Sequence, residues 1–379
     1  MNKDFIIETL KKLININTIN PPGNERTLAE YIKSLLDEIG IYSKVHLLEK
    51  NRANVIGVLG NNDNGPILVL NGHLDTVPVT GMWDCDPFGG EVIGSKLYGL
   101  GSVDMKGAIA AMIGAVKKIK ESQDNLKGML VLSFVADEEK NNSGTIDFLK
   151  RFKKINYTVI GEPTNLNLVI SNRGVLRLKI FTHGISGHCS SPESGINAIY
   201  KMIGVIEKLR ENTHIVDSRN NNYLSKPSIS INMIKGGTAE NIIPDICEIV
   251  LDRRLTYTED KNEVEREIVD ILENFKKEDK EFKYSYKKIA EMDSWKIDED
   301  SKFLKYCKKA YINCFSGNPI LKDLGATSEA SLFAEKGIET IIFGPGDIKM
   351  AHSKNEYVKA EQVLEAARYY YFLIKEILV

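Results

Sequence analysis

The sequence predicts an α/β protein whose main domain is interrupted by a smaller α+β domain. Three observations carry this. In the first half, short apolar runs such as PILVLN at 66–71 and GMLVLSFVA at 128–136 alternate with helical periodicities, the pattern of a sheet covered on both faces. After Arg173-Gly174 the style changes, because VLRLKIFTH at 175–183 alternates apolar and polar residues, as a strand with one solvated face does. From about residue 299 the first style resumes.

The elements follow in order. Helical periodicity spans 4–16 and 25–39; the second stretch enters behind Pro21-Pro22-Gly23-Asn24 and closes at Gly40. Apolar strands are expected at 53–59 and 66–71, then a helix over 105–120, a strand at 128–136, a helix at 143–153 and a strand at 157–163. Next come a strand at 175–183, a helix at 195–210, strands at 228–234 and 245–255, a charged helix at 259–276 and a strand near 281–289. One strand, helix, two strands, helix, strand is the order of a ferredoxin-like unit. The chain then returns to the α/β style at 299–313, 327–336, 339–346 and 359–377. These patterns divide the chain into a main domain of residues 1–173 and 289–379, where any catalytic site is expected, and an inserted domain of residues 174–288.

The 379 residues suffice for two domains. Lys and Arg total 50 against 52 Asp and Glu, a net charge of −2. That balance excludes nucleic acid or an anionic membrane as the main partner, since both reward a basic surface. The start, MNKDFIIETLKKLI, lacks the uninterrupted apolar core of a secretory signal, and no apolar run approaches the length of a membrane span. Cys85, Cys189, Cys247, Cys307 and Cys314 are dispersed without CxxC spacing, as free thiols of a reducing compartment are. The expected location is the cytoplasm.

Chemistry concentrates at strand ends. His73 and Asp75 follow ILVLN; residues two apart in extended backbone point the same way, so Asp75 could hold one ring nitrogen and leave the other for a metal. His-x-Asp equally fits a turn histidine beside a capping Asp. Asp104, in GLGSVDMKG, could cap the helix behind it or bridge two metals. Asp137, Glu138 and Glu139 follow GMLVLSFVA. Adjacent residues in extended backbone face opposite ways, so one carboxylate could bind metal while its neighbour meets a water; a solvated loop is the plainer alternative. Glu162 in GEP and His352 in GPGDIKMAHSKNEY also follow predicted strands. What separates these residues from five ordinary loops is convergence, because ligands of open α/β sheets bind at the carboxyl ends of strands. Two histidines and three carboxylates make a nitrogen and oxygen set that suits zinc, with a shared carboxylate between two ions. No GxGxxG or GxxxxGK[ST] opens a helix after a strand, so a nucleotide-binding reading lacks its motif.

With these motifs in order, the chain resembles the zinc-dependent acyl-amino-acid hydrolases and exopeptidases that include acetylornithine deacetylase, succinyl-diaminopimelate desuccinylase, aminoacylase and carboxypeptidase G. The resemblance runs from about residue 5 to the C-terminus, through NGHLDTVP (71–78), WDCDPF (83–88), LYGLGSVDMKG (97–107), ADEE (136–139), GEP (161–163), GHCSSPESGINAI (187–199), GGTAENIIP (236–244) and FGPGD…AHSKNEY (343–357). It implies a zinc-peptidase-like domain with a mixed sheet and helices on both faces. It also implies two Zn2+ per chain, with Co2+ or Mn2+ as possible substitutes. Asp104 would bridge the ions, with His73 and Glu162 completing one site and Glu139 and His352 the other. Asp75 would brace His73, and Glu138 would be the general base for a metal-bridging water. A cis peptide at Asp104-Met105 is expected on the same ground. His188 would supply an oxyanion donor to the partner subunit of a homodimer formed through the inserted domain, whose other role would be that of a lid. Asn241 and Arg254 would contact substrate, although Arg254, in an alternating strand, equally fits a surface salt bridge.

For the substrate, desuccinylase-like relatives show an Asp-Ala-Arg triplet where this chain reads GATSEASLF at 325–333. The departure resembles the Thr-Glu-Ala pattern of acetylornithine deacetylases. Glu329 could then favour a cationic side chain, or be solvated, or cap a helix. The expected activity is hydrolysis of the amide of an N-acyl amino acid, with N-acetylornithine or a similar N-acyl diamino acid preferred. Succinyl-diaminopimelate, dipeptide or carboxypeptidase substrates are the alternatives, with a non-catalytic amino-acid-binding protein behind them.

Overall fold

Four strands run parallel at the centre of the main sheet: Met129–Val135, Ile67–His73, Tyr157–Ile160 and Glu339–Ile342, adjacent in that order. Every residue of Ile67–His73 is buried, so both faces of the strand are covered, as its unbroken apolar run requires. Antiparallel strands flank the four: Arg52–Gly60 and then Tyr42–Glu49 on one side, Leu168–Asn172 on the other. The sheet is therefore mixed. From Ile67–His73 the chain moves to the neighbour on one side, Met129–Val135, and then crosses back to Tyr157–Ile160 on the other. Reversals of this kind open a crevice at the carboxyl ends of the strands.

The computed structural model describes residues 1–61, 65–212 and 226–379, which form two units. The first comprises Met1–Ile170, Ile297–Leu324 and Ser328–Val379. Its helix Gly107–Ser122 is buried without a break from Gly107 to Val116, which is the fate of a helix apolar all round. The helices Lys3–Asn15 and Ala360–Leu378 pack against it. The helix predicted from 105 begins at Gly107, because Ser102–Lys106 forms an irregular turn in which Asp104 and Met105 have non-helical backbone angles. The Asp104-Met105 peptide is cis. Several strands escaped the sequence reading, the longest being Tyr42–Glu49, an edge strand with mostly wetted side chains, and Leu168–Asn172, only 5 residues long. No helix among the described residues is long and apolar enough to cross a membrane.

The second unit comprises Ser171–Lys296 and Gly325–Thr327. Four antiparallel strands lie in the order Ser228–Gly236, Ile246–Leu255, Gly174–His183, Lys283–Met292. Helices Ala198–Glu211 and Lys261–Glu278 supply Met202, Val205, Ile268 and Leu272 to a core shared with Leu176, Leu178, Ile249 and Leu251. Asp260 caps the second helix, accepting from the amides of Asn262 (2.9 Å) and Glu263 (3.0 Å). The boundary expected at 288 is corrected to Lys296, because the last strand continues to Met292, pairing with Val175.

A buried acid lies under the first unit's second helix. Glu25, the first residue of Glu25–Glu38, is fully buried, and neither carboxylate oxygen meets a hydrogen-bond donor among the described residues; Arg52 Nη2 stands 3.8 Å away. Burial raises its pKa from the ordinary 4.5 to about 7. Between those values the folded chain holds more protons than the unfolded one, so stability falls as pH rises through this window and stays lower above it. Glu25→Gln should raise the thermal midpoint at pH 8 by about 2–4 °C, the shift that roughly 1 kcal/mol gives in a domain of this size. The gain should shrink toward pH 5, where the native carboxyl is neutral in the fold; scanning calorimetry at both pH values checks the sign.

Candidate metal centre

His73 is the last residue of its strand and is buried. Its Nε2 lies 2.9 Å from Asp104 Oδ1 and 3.8 Å from Glu162 Oε1. Nδ1 lies 2.9 Å from the backbone oxygen of Asp75, an acceptor only, so Nδ1 carries a ring proton and Nε2 is the nitrogen a neutral ring would offer to a metal. Asp75 thus meets His73 first through its backbone oxygen, and the nearer oxygen of its carboxylate stands 3.7 Å from the same nitrogen. The strand ends at His73, so the two-residue alternation no longer governs Asp75. Its carboxylate also accepts from the amides of Glu138 (3.0 Å) and Glu139 (3.1 Å) and from Asn20 Nδ2 (2.9 Å).

The acidic run is likewise not extended backbone. The strand stops at Val135, and Asp137 adopts a left-handed φ of 69°. Its backbone oxygen accepts from the amides of Asn141 and Asn142 at 3.1 and 2.6 Å. The Asp137 side chain is gripped by Arg52, Asn20, Asn141 and Ser143. Glu138 and Glu139 therefore leave a turn, and both can reach one centre. Carboxylate oxygens of Glu138 and Glu162 lie with a ring nitrogen of His73 within 4.8 Å of one another. So do Asp104, Glu139 and His73.

Asp104 is the hinge of the arrangement. Its Oδ1 faces His73, while its Oδ2 faces His352 Nε2 at 3.3 Å. His352 Nε2 is also 3.1 Å from Glu139 Oε1. One carboxylate thus addresses a different imidazole with each oxygen. Glycine makes the approaches possible: Gly101 has a φ of +77°, and a Cβ there would meet Thr76 Cγ2 at 2.6 Å. A Cβ at Gly161, beside Glu162, would meet Met105 Cε at 2.6 Å. His352, at φ 58°, sits on a loop held by Thr80 Oγ1 on its carbonyl (3.2 Å) and by Asn355 Nδ2 on Asp84 (2.6 Å).

The electrostatics fit a cation. Burial pushes Glu138 well above the usual carboxylate range, and Glu329 and Glu139 add to this against the pull of His73. Burial likewise raises Glu162, with Asp104 and Glu138 adding to it. Burial would raise Asp104 too, but hydrogen bonds from His352 and His73 hold it well below that range. His352 is raised to about 10, first by Asp104 and then by Glu139. Carboxylates that crowd one another out of ionisation around two imidazoles are relieved by positive charge, and two nitrogen donors among oxygens suit zinc.

Of the remaining predicted residues, Glu329 lies close enough to the centre to act on Glu138 and Glu162. Glu329 is fully buried, accepting from Asn71 Nδ2 (2.5 Å) and Thr145 Oγ1. It is not solvated, and at the head of the helix Ala330–Ala334 its side chain makes no capping bond; its oxygens are held by Asn71 and Thr145 and are not turned to a cationic substrate side chain, which corrects that expectation. Burial raises it to about 7. His188, Asn241 and Arg254 belong to the second unit. Gly187–His188 pairs with Ile242–Ile243, and the Cys189 amide donates to the Asn241 carbonyl (3.1 Å), which draws His188 and Asn241 together. His188 Nδ1 accepts from the Ser190 amide (3.2 Å) and lies 2.7 Å from its hydroxyl. Arg254 pairs through Nε with Asp252 (2.7 Å), which also takes Arg177 (2.6 Å). Asn20, Arg52, Asn71, Thr145 and Glu356, which hold or neighbour these residues, were given no role; the motifs NGHLDTVP and AHSKNEY contained Asn71 and Glu356 without marking one, and Asp137 was read only as one of three carboxylates in the acidic run.

The sequence profile of peptidase family M20/M25/M40 matches residues 69–376. The chain belongs to this family. M20 relatives align along nearly its whole length. It is 30% identical over 371 residues to an acetylornithine deacetylase of Buchnera aphidicola subsp. Acyrthosiphon pisum, covering 93% of each chain. It is 29% identical over 391 residues to a succinyl-diaminopimelate desuccinylase of Wigglesworthia glossinidia brevipalpis, covering 99% of each. The fold is similar to that of the Bacillus subtilis YXEP protein, described as a dinuclear metal binding peptidase of the M20 family, with a TM-score of 0.76, 17% identity, and 98% and 97% of the two chains covered. As an M20 member the chain is a metallohydrolase of amide bonds.

Proposed function

We propose that the chain is a two-zinc amidohydrolase that releases the acyl group from an N-acyl amino acid, N-acetylornithine or a similar N-acyl diamino acid. The observation that carries the metal reading is Asp104, whose two oxygens face His73 and His352 separately. In this reading Asp104 is the shared ligand, His73 and Glu162 complete one site, and Glu139 and His352 the other. Bound zinc would polarise the amide carbonyl and lower the pKa of a water toward about 7.

Glu138 then takes the proton of the attacking water and returns it to the leaving amine. Burial raises its affinity for a proton, the direction that a group taking a proton from water needs. His188, whose Nδ1 accepts from Ser190, carries its ring proton on Nε2 and is fitted to donate to an oxyanion. In this proposal it acts in the partner subunit of a homodimer, and the second unit, whose strand order supports a ferredoxin-like reading, serves as lid and dimer surface. Arg254 and Asn241 stay as proposed substrate contacts. Five free cysteines support a cytoplasmic location.

The buried Glu329 withdraws the argument from a cationic side chain, so the acetylornithine preference rests on the deacetylase relative. The desuccinylase relative is similar to almost the same degree, and N-succinyl-diaminopimelate is the second reading. The deciding assay measures amine release by zinc-loaded protein on both compounds. The expected result is at least about a tenfold higher kcat/KM for N-acetylornithine, a discrimination of roughly 1.4 kcal/mol. The reverse preference would keep the chemistry and exchange the substrate. Cleavage of neither would point to a dipeptide or to binding without turnover.

A further inference from the structure

Glu356 has no part in the ligand set, yet it is 1% exposed and lies against the turn that carries Asp104. Its Oε1 accepts from the amides of Val103 (2.8 Å) and Asp104 (3.2 Å), and its Oε2 from that of Gly101 (3.1 Å). Its own backbone oxygen accepts from Gly99 (3.0 Å). The turn closes on itself through Ser102 N to Gly99 O (3.0 Å) and Lys106 N to Gly101 O (2.8 Å), while the amides of Gly101, Val103 and Asp104 go to Glu356. Successive amides converging on one anion form a strong, directional cradle. Glu356 also ends the loop that begins at His352, whose other anchors are Thr80 and Asp84.

We propose that Glu356 is a positioning residue of the metal centre, its carboxylate fixing the turn that presents Asp104 and binding that turn to the His352 loop. The inference rests on the metal-centre reading above. Two ligand segments more than two hundred residues apart in sequence are thereby held as one piece. The carboxylate cannot be replaced by an amide without loss. A glutamine would turn an NH2 toward at least one backbone N–H, leaving that amide without an acceptor.

The test is zinc titration of the full chain against a competing chromophoric chelator, with Co2+ absorption spectra as a second readout. Wild type, Glu356→Gln, Glu356→Asp and the surface control Lys354→Ala are compared, and thermal unfolding in EDTA monitors the fold. Glu356→Gln is expected to bind metal about 10–100-fold more weakly, as loss of an outer partner does, and to alter the Co2+ spectrum. Glu356→Asp, with the charge kept and the reach shortened, should weaken binding in the same direction, and it decides the matter if the glutamine variant does not fold. Lys354→Ala should match wild type. A lowered unfolding midpoint with wild-type metal affinity in both variants would make Glu356 merely structural and overturn the proposal. Failure of the wild type to bind two equivalents would instead sink the metal reading itself, and this inference with it.

Discussion

Glu138→Gln should lower turnover of the zinc-loaded protein by about 10²–10⁴-fold, the range that general acid–base catalysis contributes, while leaving its metal content and KM close to wild type. The substitution keeps the size of the side chain and removes its ability to accept and return a proton. It should not disturb the turn, because what Asp75 holds there is the backbone amide of residue 138. The measurement pairs steady-state kinetics with metal analysis of the same samples. The pairing matters because a Glu138 oxygen lies as close to the His73 and Glu162 donors as a ligand would. If the glutamine variant loses a metal equivalent along with its activity, Glu138 is a ligand and the proton must be carried by another group.

Asp104→Ala should have the larger effect on the metals. It removes the carboxylate that both imidazoles address, and metal affinity is expected to fall by at least about 100-fold, beyond the loss typical of an outer partner. Activity at ordinary zinc concentrations should fall with it. The buried position adds a second signature. With Asp104 gone, His352 loses the first-ranked cause of its raised pKa and keeps Glu139, so its titration, followed by NMR in EDTA, should move down from about 10. A variant that retains two tightly bound metals would contradict the bridging role, whatever its activity.

His73, Glu139, Glu162 and His352 stood out because each closes or follows an apolar run, which betrays a buried strand from sequence alone, whereas Asp104 stood out only in a glycine-rich turn ahead of a helix. What supports them was not legible. Glu329 reads as an ordinary loop acid, and its burial depends on Asn71 and Thr145, separated from it by 258 and 184 residues. Strand alternation pointed Asp75 at His73 but gave no sign of its second task, the two amides that the left-handed Asp137 brings to its carboxylate. Tyr42–Glu49 left no clear signature because an edge strand with wetted faces needs no apolar alternation. The helix after Asp104 was started early because Met105 and Lys106 have ordinary helical character as residues, and only the irregular turn shows otherwise.

The turn that carries Glu138 and Glu139 has a consequence for how such an enzyme can change over time. The proposed proton carrier and its neighbouring candidate ligand adjoin in the chain, and one aspartate, Asp75, fixes the amides of both. Neither can drift in position without the other, so the reaction is inherited as a block. The proposed substrate contacts belong to a different unit of the chain and are free of that constraint. A lineage built this way can exchange one acyl group for another by altering the other unit, and relatives with different substrates can stand at nearly equal distance from the same sequence.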